Sequence, residues 1–325
     1  MKFLEVDGLG LVSRVGLGTW QFGSREWGYG EGYASGAAGD IVRRARELGV
    51  TLFDTAEVYG FGKSEKILGE ALGADRDQVV VASKVFPVAP FPPVVRARGE
   101  SSARRLQLRR IPLYQVHQPN PLVPDSVIMP GMRDLPERGR IGAVGVSNYS
   151  LSRWRQADTA LGRPVISNQV QFNLAQSAPL ADMVPFAERE NRMVMAYSPL
   201  AQGLLGGKYS VDNRPGGVRA MNPLFGSENL RRVEPLLSVL RGRHRTQCQA
   251  RAGGAGLVAG PAAGGGYCRR VQCRATGVQC GGGRPDSRRR CTRRADGRRA
   301  GIHARVGGAQ PAGRGSREAR RLMPA

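Results

Sequence analysis

The chain has 325 residues, 41% of them hydrophobic, and a formal net charge of +23. That length suits one large α/β domain or two small ones, and the hydrophobic share is ordinary for a folded domain. No apolar stretch is long enough to span a membrane, and the opening MKFLEVDGLGLV lacks the basic and apolar regions of a secretory signal, so a soluble cytoplasmic protein is expected.

Short apolar, β-rich runs alternate with longer amphipathic ones. The candidate strands are residues 15–18, 51–54, 79–84, 113–117, 143–147, 167–171 and 193–198. The candidate helices are 37–48, 64–72, 96–106, 126–138, 150–161, 180–189 and 229–241. In the first of these, Ile41, Ala45 and Leu48 form one apolar stripe. Strand alternating with helix implies a parallel sheet. Seven such strands, most ending in a polar residue, favour an α/β barrel of the (β/α)8 type over an open sheet.

Those polar ends are Asp54, Lys84, His117, Ser147 with Asn148, Gln169 (within its strand), and Tyr197 with Ser198, set 22 to 33 residues apart. Each interval fits one strand–helix unit. In a parallel barrel the C-terminal strand ends converge on one face, where active sites are built. Asp54, Tyr59, Lys84 and His117 are the residue types that carbonyl reduction requires. A tyrosine titrates near ~10, too high for an efficient acid at neutral pH. A lysine beside it favours the phenolate and lowers that value. An aspartate keeps the lysine charged and oriented, and a histidine can hydrogen-bond the substrate oxygen.

The motifs around these residues resemble those of the aldo-keto reductase family. Phe53-Asp54-Thr55-Ala56-Glu57-Val58-Tyr59-Gly60 followed by Ser64-Glu65 is similar to the family signature with Asp and Tyr five apart. Ala82-Ser83-Lys84 and Leu113-Tyr114-Gln115-Val116-His117 resemble the strands carrying its lysine and histidine. Gly16-Leu17-Gly18-Thr19-Trp20, Gly145-Val146-Ser147-Asn148, Asn168-Gln169-Val170 and Tyr197-Ser198-Pro199-Leu200 match further strand ends, in order, across residues 3–241. The resemblance implies an NADPH-dependent oxidoreductase acting on CH–OH donors, reducing an aldehyde or ketone to an alcohol. It makes Tyr59 the general acid, Lys84 the modulator of its pKa, Asp54 the partner of Lys84, and His117 the substrate-orienting group. Ser147, Asn148 and Gln169 would hold the nicotinamide carboxamide, and Tyr197 would stack on the ring. Ser198, Pro199, Leu200, Gln202, Gly203 and Leu204 would line the pyrophosphate. Gly18, Thr19 and Trp20 would approach the nicotinamide ribose, and Asp54 would also belong to the cofactor-binding set. The family has no Rossmann glycine fingerprint, and none is found here.

Taken one at a time, these residues have plainer readings. The histidine can be a structural strand residue, the lysine a solvated charge, Asp54 a helix cap, and Tyr59 loop packing. Ser147-Asn148 can cap a helix as well as bind a cofactor. Trp20, Trp27 and Trp154 can all be core. Two other functions also stay open: a non-catalytic cofactor-binding regulator of the same fold, like the potassium-channel β-type proteins, and nucleic-acid binding through the tail. The barrel motifs decide neither the carbonyl substrate, nor NADPH against NADH, nor the oligomeric state.

After Arg241 the composition changes. Residues 241–325 carry 20 Arg against three acids, a charge of +17, whereas residues 1–240 carry 29 basic and 23 acidic residues, +6. The 1–241 body is thus only mildly basic, and the 242–325 tail is expected to be disordered. All five cysteines (Cys248, Cys268, Cys273, Cys280 and Cys291) lie in the tail at spacings that fit no zinc pattern, so no metal site is expected. Arg-Gly tracts can bind RNA, but a tail with one aromatic, Tyr267, has almost nothing to stack on bases, so a nucleic-acid partner is not expected.

The tail reads better in a shifted frame. Slipped forward one base, the codons of residues 247–261 permit Asn-Ala-Lys-Pro-Ala-Gln-Val-Ala-Leu-Ala-Trp-Leu-Leu-Ala, similar to the family's penultimate barrel helix. Those of 269–280 permit Gly-Ala-Ser-Ser-Val-Glu-Gln-Leu-Glu-Phe-Asn, similar to its 2′-phosphate loop and following helix. As printed, the eighth strand and last helices are missing or scrambled. Open edges are then expected at the first and seventh strands, and with them poor folding.

Overall fold

The computed structural model describes residues 1–22, 31–243 and 255–259. It opens with a hairpin of β1 (Phe3–Val6) and β2 (Gly10–Ser13). Gly8 and Gly10 take positive φ, 75° and 71°, which lets the chain reverse between such short strands. Leu4, Val6 and Val12 turn inward and pack on Leu52, Val80, Leu113 and Met193. Those four lie at or near the starts of barrel strands, so the hairpin plugs the N-terminal end of the barrel.

The alternating pattern follows: β3 (Val15–Gly18), α1 (Glu31–Glu47), β4 (Leu52–Asp54), α2 (Lys63–Leu72), β5 (Val80–Val85), α3 (Pro92–Arg105), β6 (Ile111–Val116), α4 (Asp125–Glu137), β7 (Ile141–Ser147), α5 (Leu151–Leu161), β8 (Ser167–Gln171), α6 (Met183–Arg189), β9 (Met193–Tyr197) and α7 (Ser227–Arg243). Strands β3 to β9 pair in parallel and in chain order. Helical crossovers put helices on the outer face, so these strands are buried on both sides. Every residue of β5 is buried, Lys84 included.

The order curls into a barrel whose eighth position is taken by β10 (Ala255–Ala259), antiparallel to both β3 and β9. The expectation of open edges at residues 15–18 and 193–198 is corrected by this strand. An edge presents a row of unpaired N–H and C=O groups that any extended run can satisfy, and Ala-Gly-Leu-Val-Ala does so. A regular (β/α)8 barrel has a parallel eighth strand, so the last unit of that pattern is absent among the described residues. Trp27 and residues 244–254 and 260–325, with the disorder expected of the tail, lie outside the described residues.

The main core lies between strands and helices. Trp154 is fully buried there, donates Nε1–H to the Val165 carbonyl (2.9 Å) and meets Phe186 edge-on at 5.3 Å. Inside the barrel, Gly145 has no space for a side chain: a Cβ would lie 2.2 Å from Ser167 Oγ and 2.8 Å from Gln115 Cγ. Among the described residues no helix is long and apolar enough to cross a membrane.

Candidate active site

β4 and β5 are neighbours in register, with Asp54 opposite Ala82 and Lys84 two residues further on. Alternation along each strand points Asp54 and Lys84 into the barrel mouth. Lys84 Nζ donates to Asp54 Oδ2 at 2.7 Å, to the Thr55 carbonyl at 2.8 Å and to Tyr59 Oη at 3.3 Å. Lys84 is 0% exposed, so each ammonium donor needs such a partner. The other Asp54 oxygen, Oδ1, accepts from Gln169 Nε2 at 2.8 Å. Asp54 is therefore no helix cap. Both its oxygens face into the site.

Behind this group Thr19 and Ser64 lock the loop. Thr19 Oγ1 donates to the Asp54 carbonyl (3.0 Å), while Ser64 Oγ donates to the Thr19 carbonyl (2.7 Å) and lies 2.8 Å from Thr19 Oγ1 and 3.0 Å from Thr55 Oγ1. The Thr19 side chain is wholly buried in this network, whereas Trp20 beside it is 37% exposed. β3 ends at Gly18, the residue before this network.

His117 follows β6, its N–H donating to the Val85 carbonyl at 2.9 Å. Its ring lies edge-on to Tyr59 at 5.6 Å and to Phe86 at 5.8 Å. Burial and, second, the charge of Lys84 pull its pKa down from 6.5 to about 3. The imidazole is therefore neutral across the physiological range and offers a hydrogen bond, not a charge. Burial raises the Tyr59 pKa. Lys84 pulls it down and Asp54 pushes it up, with a net value above the ordinary 10.0. The lysine acts in the direction expected from the sequence, but burial outweighs it. For Lys84 itself, burial lowers the pKa, and Asp54 with Tyr59 reverses this to hold it above its ordinary value.

A second polar group continues from the first. Ser147 Oγ donates to the Gln169 carbonyl (2.9 Å), and Asn148 Nδ2 donates to the His117 carbonyl (3.1 Å) and to Ser147 Oγ (3.1 Å). Tyr197 Oη donates to Asn148 Oδ1 at 2.9 Å. Asn148 takes positive φ, 62°, as asparagine tolerates. The helix-cap reading passes from Ser147-Asn148 to Ser150, whose hydroxyl accepts from Arg153 N–H at the start of α5. After β9 the chain turns through left-handed conformations at Ser198 (φ 51°), Ala201 (49°), Gln202 (56°) and Gly203 (98°). Leu204 is fully buried, in a separate small core with Leu205, Tyr209 and Phe225. It can offer this turn its backbone and not its side chain. Pro199 and Leu200 lie at the same bend.

The structure thus brings Asp54, Tyr59, Lys84 and His117 together, and sets Ser147, Asn148, Gln169 and Tyr197 beside them. Sequence reading missed Glu57, Arg98 and Phe86, whose contacts come from loops about thirty to forty residues apart. The position of Glu57 between Asp54 and Tyr59 was the signal available.

A parallel barrel with a buried Lys–Asp–Tyr cluster and a histidine at its C-terminal mouth is the architecture of a barrel oxidoreductase. Residues 14–250 match the model of the aldo/keto reductase family, and the chain belongs to that family. It is 77% identical over 241 residues to an uncharacterized oxidoreductase of Mycobacterium tuberculosis, a match covering 74% of this chain and 75% of that protein. It is 37% identical over 221 residues to an aldo-keto reductase of Bacillus subtilis, covering 64% and 65%. Among solved structures it resembles a glycerol dehydrogenase from Gluconobacter oxydans (30% identity, TM-score 0.66, covering 75% and 78%). An aldo/keto reductase from Klebsiella pneumoniae in complex with NADP and acetate matches at 28% identity and TM-score 0.56, covering 74% and 77%.

Proposed function

We propose that this chain reduces an aldehyde or ketone to an alcohol with NADPH, with Tyr59 as the general acid. The observation that carries the reading is the contact of buried Lys84 with both Asp54 Oδ2 and Tyr59 Oη. Because Lys84 donates to the phenol oxygen, the Tyr59 hydrogen is left to donate elsewhere. Burial holds the pKa of the resting phenol above 10.0, so its proton passes only as the carbonyl oxygen becomes an alkoxide, a far stronger base, and Lys84 stabilises the phenolate left behind. Asp54, itself held by Gln169, fixes Lys84 from the far side. Neutral His117 donates a hydrogen bond to the same carbonyl oxygen and sets its approach. Solvent returns the proton to Tyr59.

The residues beside this cluster suit a nicotinamide dinucleotide. Ser147, Asn148 and Gln169 form a hydroxyl–amide set matched to a carboxamide, and the half-buried Tyr197 ring stands next to it. The left-handed turn from Ser198 to Gly203 brings backbone close to where a pyrophosphate would run. When bound, the cofactor supplies the hydride. The Klebsiella relative with NADP supports this choice.

The expected outcome is aldehyde-dependent NADPH oxidation by the full chain, lost by a factor of roughly 10² to 10⁴ in Tyr59→Phe with cofactor affinity kept. Turnover unchanged in that variant would remove Tyr59 from the mechanism. The preference for NADPH would rest on the 2′-phosphate loop that the codons of residues 269–280 permit in the shifted frame. Two family-like runs permitted in one frame and in the right order, at residues 247–261 and 269–280, support that frame. Reading the gene on both strands through the codons of residues 240–247 tests it. A single-base gain or loss confirms the shift, and an unchanged frame refutes it.

A further inference from the structure

Resting on the reduction just proposed, we infer that Glu57 and Arg98 are a positioning pair that sets the spacing of Tyr59 and His117 around the carbonyl oxygen. Glu57 lies two residues before Tyr59, with its side chain only 9% exposed. Its Oε1 accepts the Phe86 backbone N–H and also Arg98 Nη2, and its Oε2 accepts Arg98 Nε at 3.0 Å. This is the two-pronged guanidinium–carboxylate geometry that fixes direction as well as distance. Arg98, on α3, spends its remaining prong on the Val88 carbonyl at 2.8 Å. One carboxylate thereby ties together the loop after β4, the loop after β5 and α3.

The two loops it joins carry the two rings that hold His117. Tyr59 is on the first and Phe86 on the second, and both meet the imidazole edge-on. Glu57 N–H also donates to the Lys84 carbonyl at 3.3 Å, which fixes the first loop to β5. Neither Glu57 nor Arg98 reaches the groups that would touch substrate. Their effect passes through the backbone of Phe86 and Tyr59 to the gap between a proton donor and a hydrogen-bond donor. A shift of about 1 Å in such a gap costs on the order of 10² in rate. An isolated lysine in place of Arg98 keeps the charge but loses the fork.

The test compares the full chain with Glu57→Gln and Arg98→Lys. Three quantities are measured: turnover of a small aldehyde with NADPH, NADPH affinity by protein fluorescence quenching, and the Tyr59–His117 ring spacing in crystals of each variant. The expected result is a fall in kcat of about 10²-fold for Glu57→Gln and about tenfold for Arg98→Lys. NADPH affinity stays within about twofold, and the ring spacing departs from 5.6 Å. Wild-type kcat with unchanged ring spacing overturns the inference. So does a loss of NADPH affinity equal to the loss of kcat, which marks general loosening. If wild type and Tyr59→Phe turn over at the same background rate, the reduction itself is refuted, and the ring spacing alone then decides whether Glu57 and Arg98 position these groups.

Discussion

The two sides of the barrel mouth are held by different means. On the side of β4, β5 and β6, side chains knit the loops together. Glu57 and Arg98 join the first two, and Asn120 donates to the Pro87 carbonyl (2.8 Å) to join the third. Arg153 of α5 reaches the Asn120 carbonyl and the buried Asp125, which also accepts from Tyr149. On the side of β9, the segment between β9 and α7 packs on its own apolar cluster and bends through left-handed backbone, with lighter polar ties such as Asn173 to the Ser198 carbonyl (3.1 Å). Non-glycine residues in that conformation cost about 1 kcal/mol each. The side of β4, β5 and β6 is thus cross-linked by side-chain hydrogen bonds. The β9 side instead holds a left-handed backbone curve, where the proposed function places the cofactor.

Substitutions on each side should therefore fail in different ways. The largest effect is expected from Lys84→Met. It breaks the buried ion pair with Asp54 and removes the group proposed to stabilise the Tyr59 phenolate. Turnover should fall by about 10² or more and stability by roughly 3 kcal/mol, checked by kinetics and denaturant titration. Gly145→Ala should cost about 1–3 kcal/mol without altering the mouth, because its Cβ would collide with Ser167 Oγ inside the barrel. Tyr197→Leu acts on the other side. The Michaelis constant for NADPH should rise about tenfold with kcat nearly kept, as loss of ring stacking implies. If Tyr197→Leu instead lowered kcat as Lys84→Met does, the two sides would not be separable.

The smallest expected effect is a pH dependence. His117 is held neutral in the folded chain, with a pKa of about 3 against 6.5 ordinarily. As pH falls from 6.5 toward 3, the unfolded chain takes up a proton that the folded chain refuses, so stability declines through that window. Carboxylates titrate there too. The check is thus the difference in melting temperature between wild type and His117→Gln, which should narrow as the pH is lowered. A difference independent of pH would place His117 in a solvated setting.

Much of this was legible from sequence. The seven parallel strands appear within two residues of their expected bounds at every end, because buried apolar runs between amphipathic ones carry a strong periodic signal. The four mouth residues were legible because each ends a strand or follows one closely. The β1–β2 hairpin was missed although Asp7-Gly8 marks a turn, since two four-residue strands offer little periodicity. Glu57 with Arg98 and Asn120 with Arg153 were missed for a different reason. Their partners are set by which loops the barrel makes adjacent, and no local pattern encodes that. The sign of the Tyr59 shift was also beyond the sequence, because it depends on how deeply the ring is buried.

The central claim is that this chain moves a hydride to a carbonyl carbon and a proton from Tyr59 to its oxygen. The most direct measurement supplies the full chain with NADPH deuterated at the transferable position and an aldehyde, and follows the label by mass spectrometry. The account predicts deuterium on the carbinol carbon of the product alcohol, formed by wild type and not by Tyr59→Phe. Alcohol without label, or equal labelling by both proteins, would contradict it.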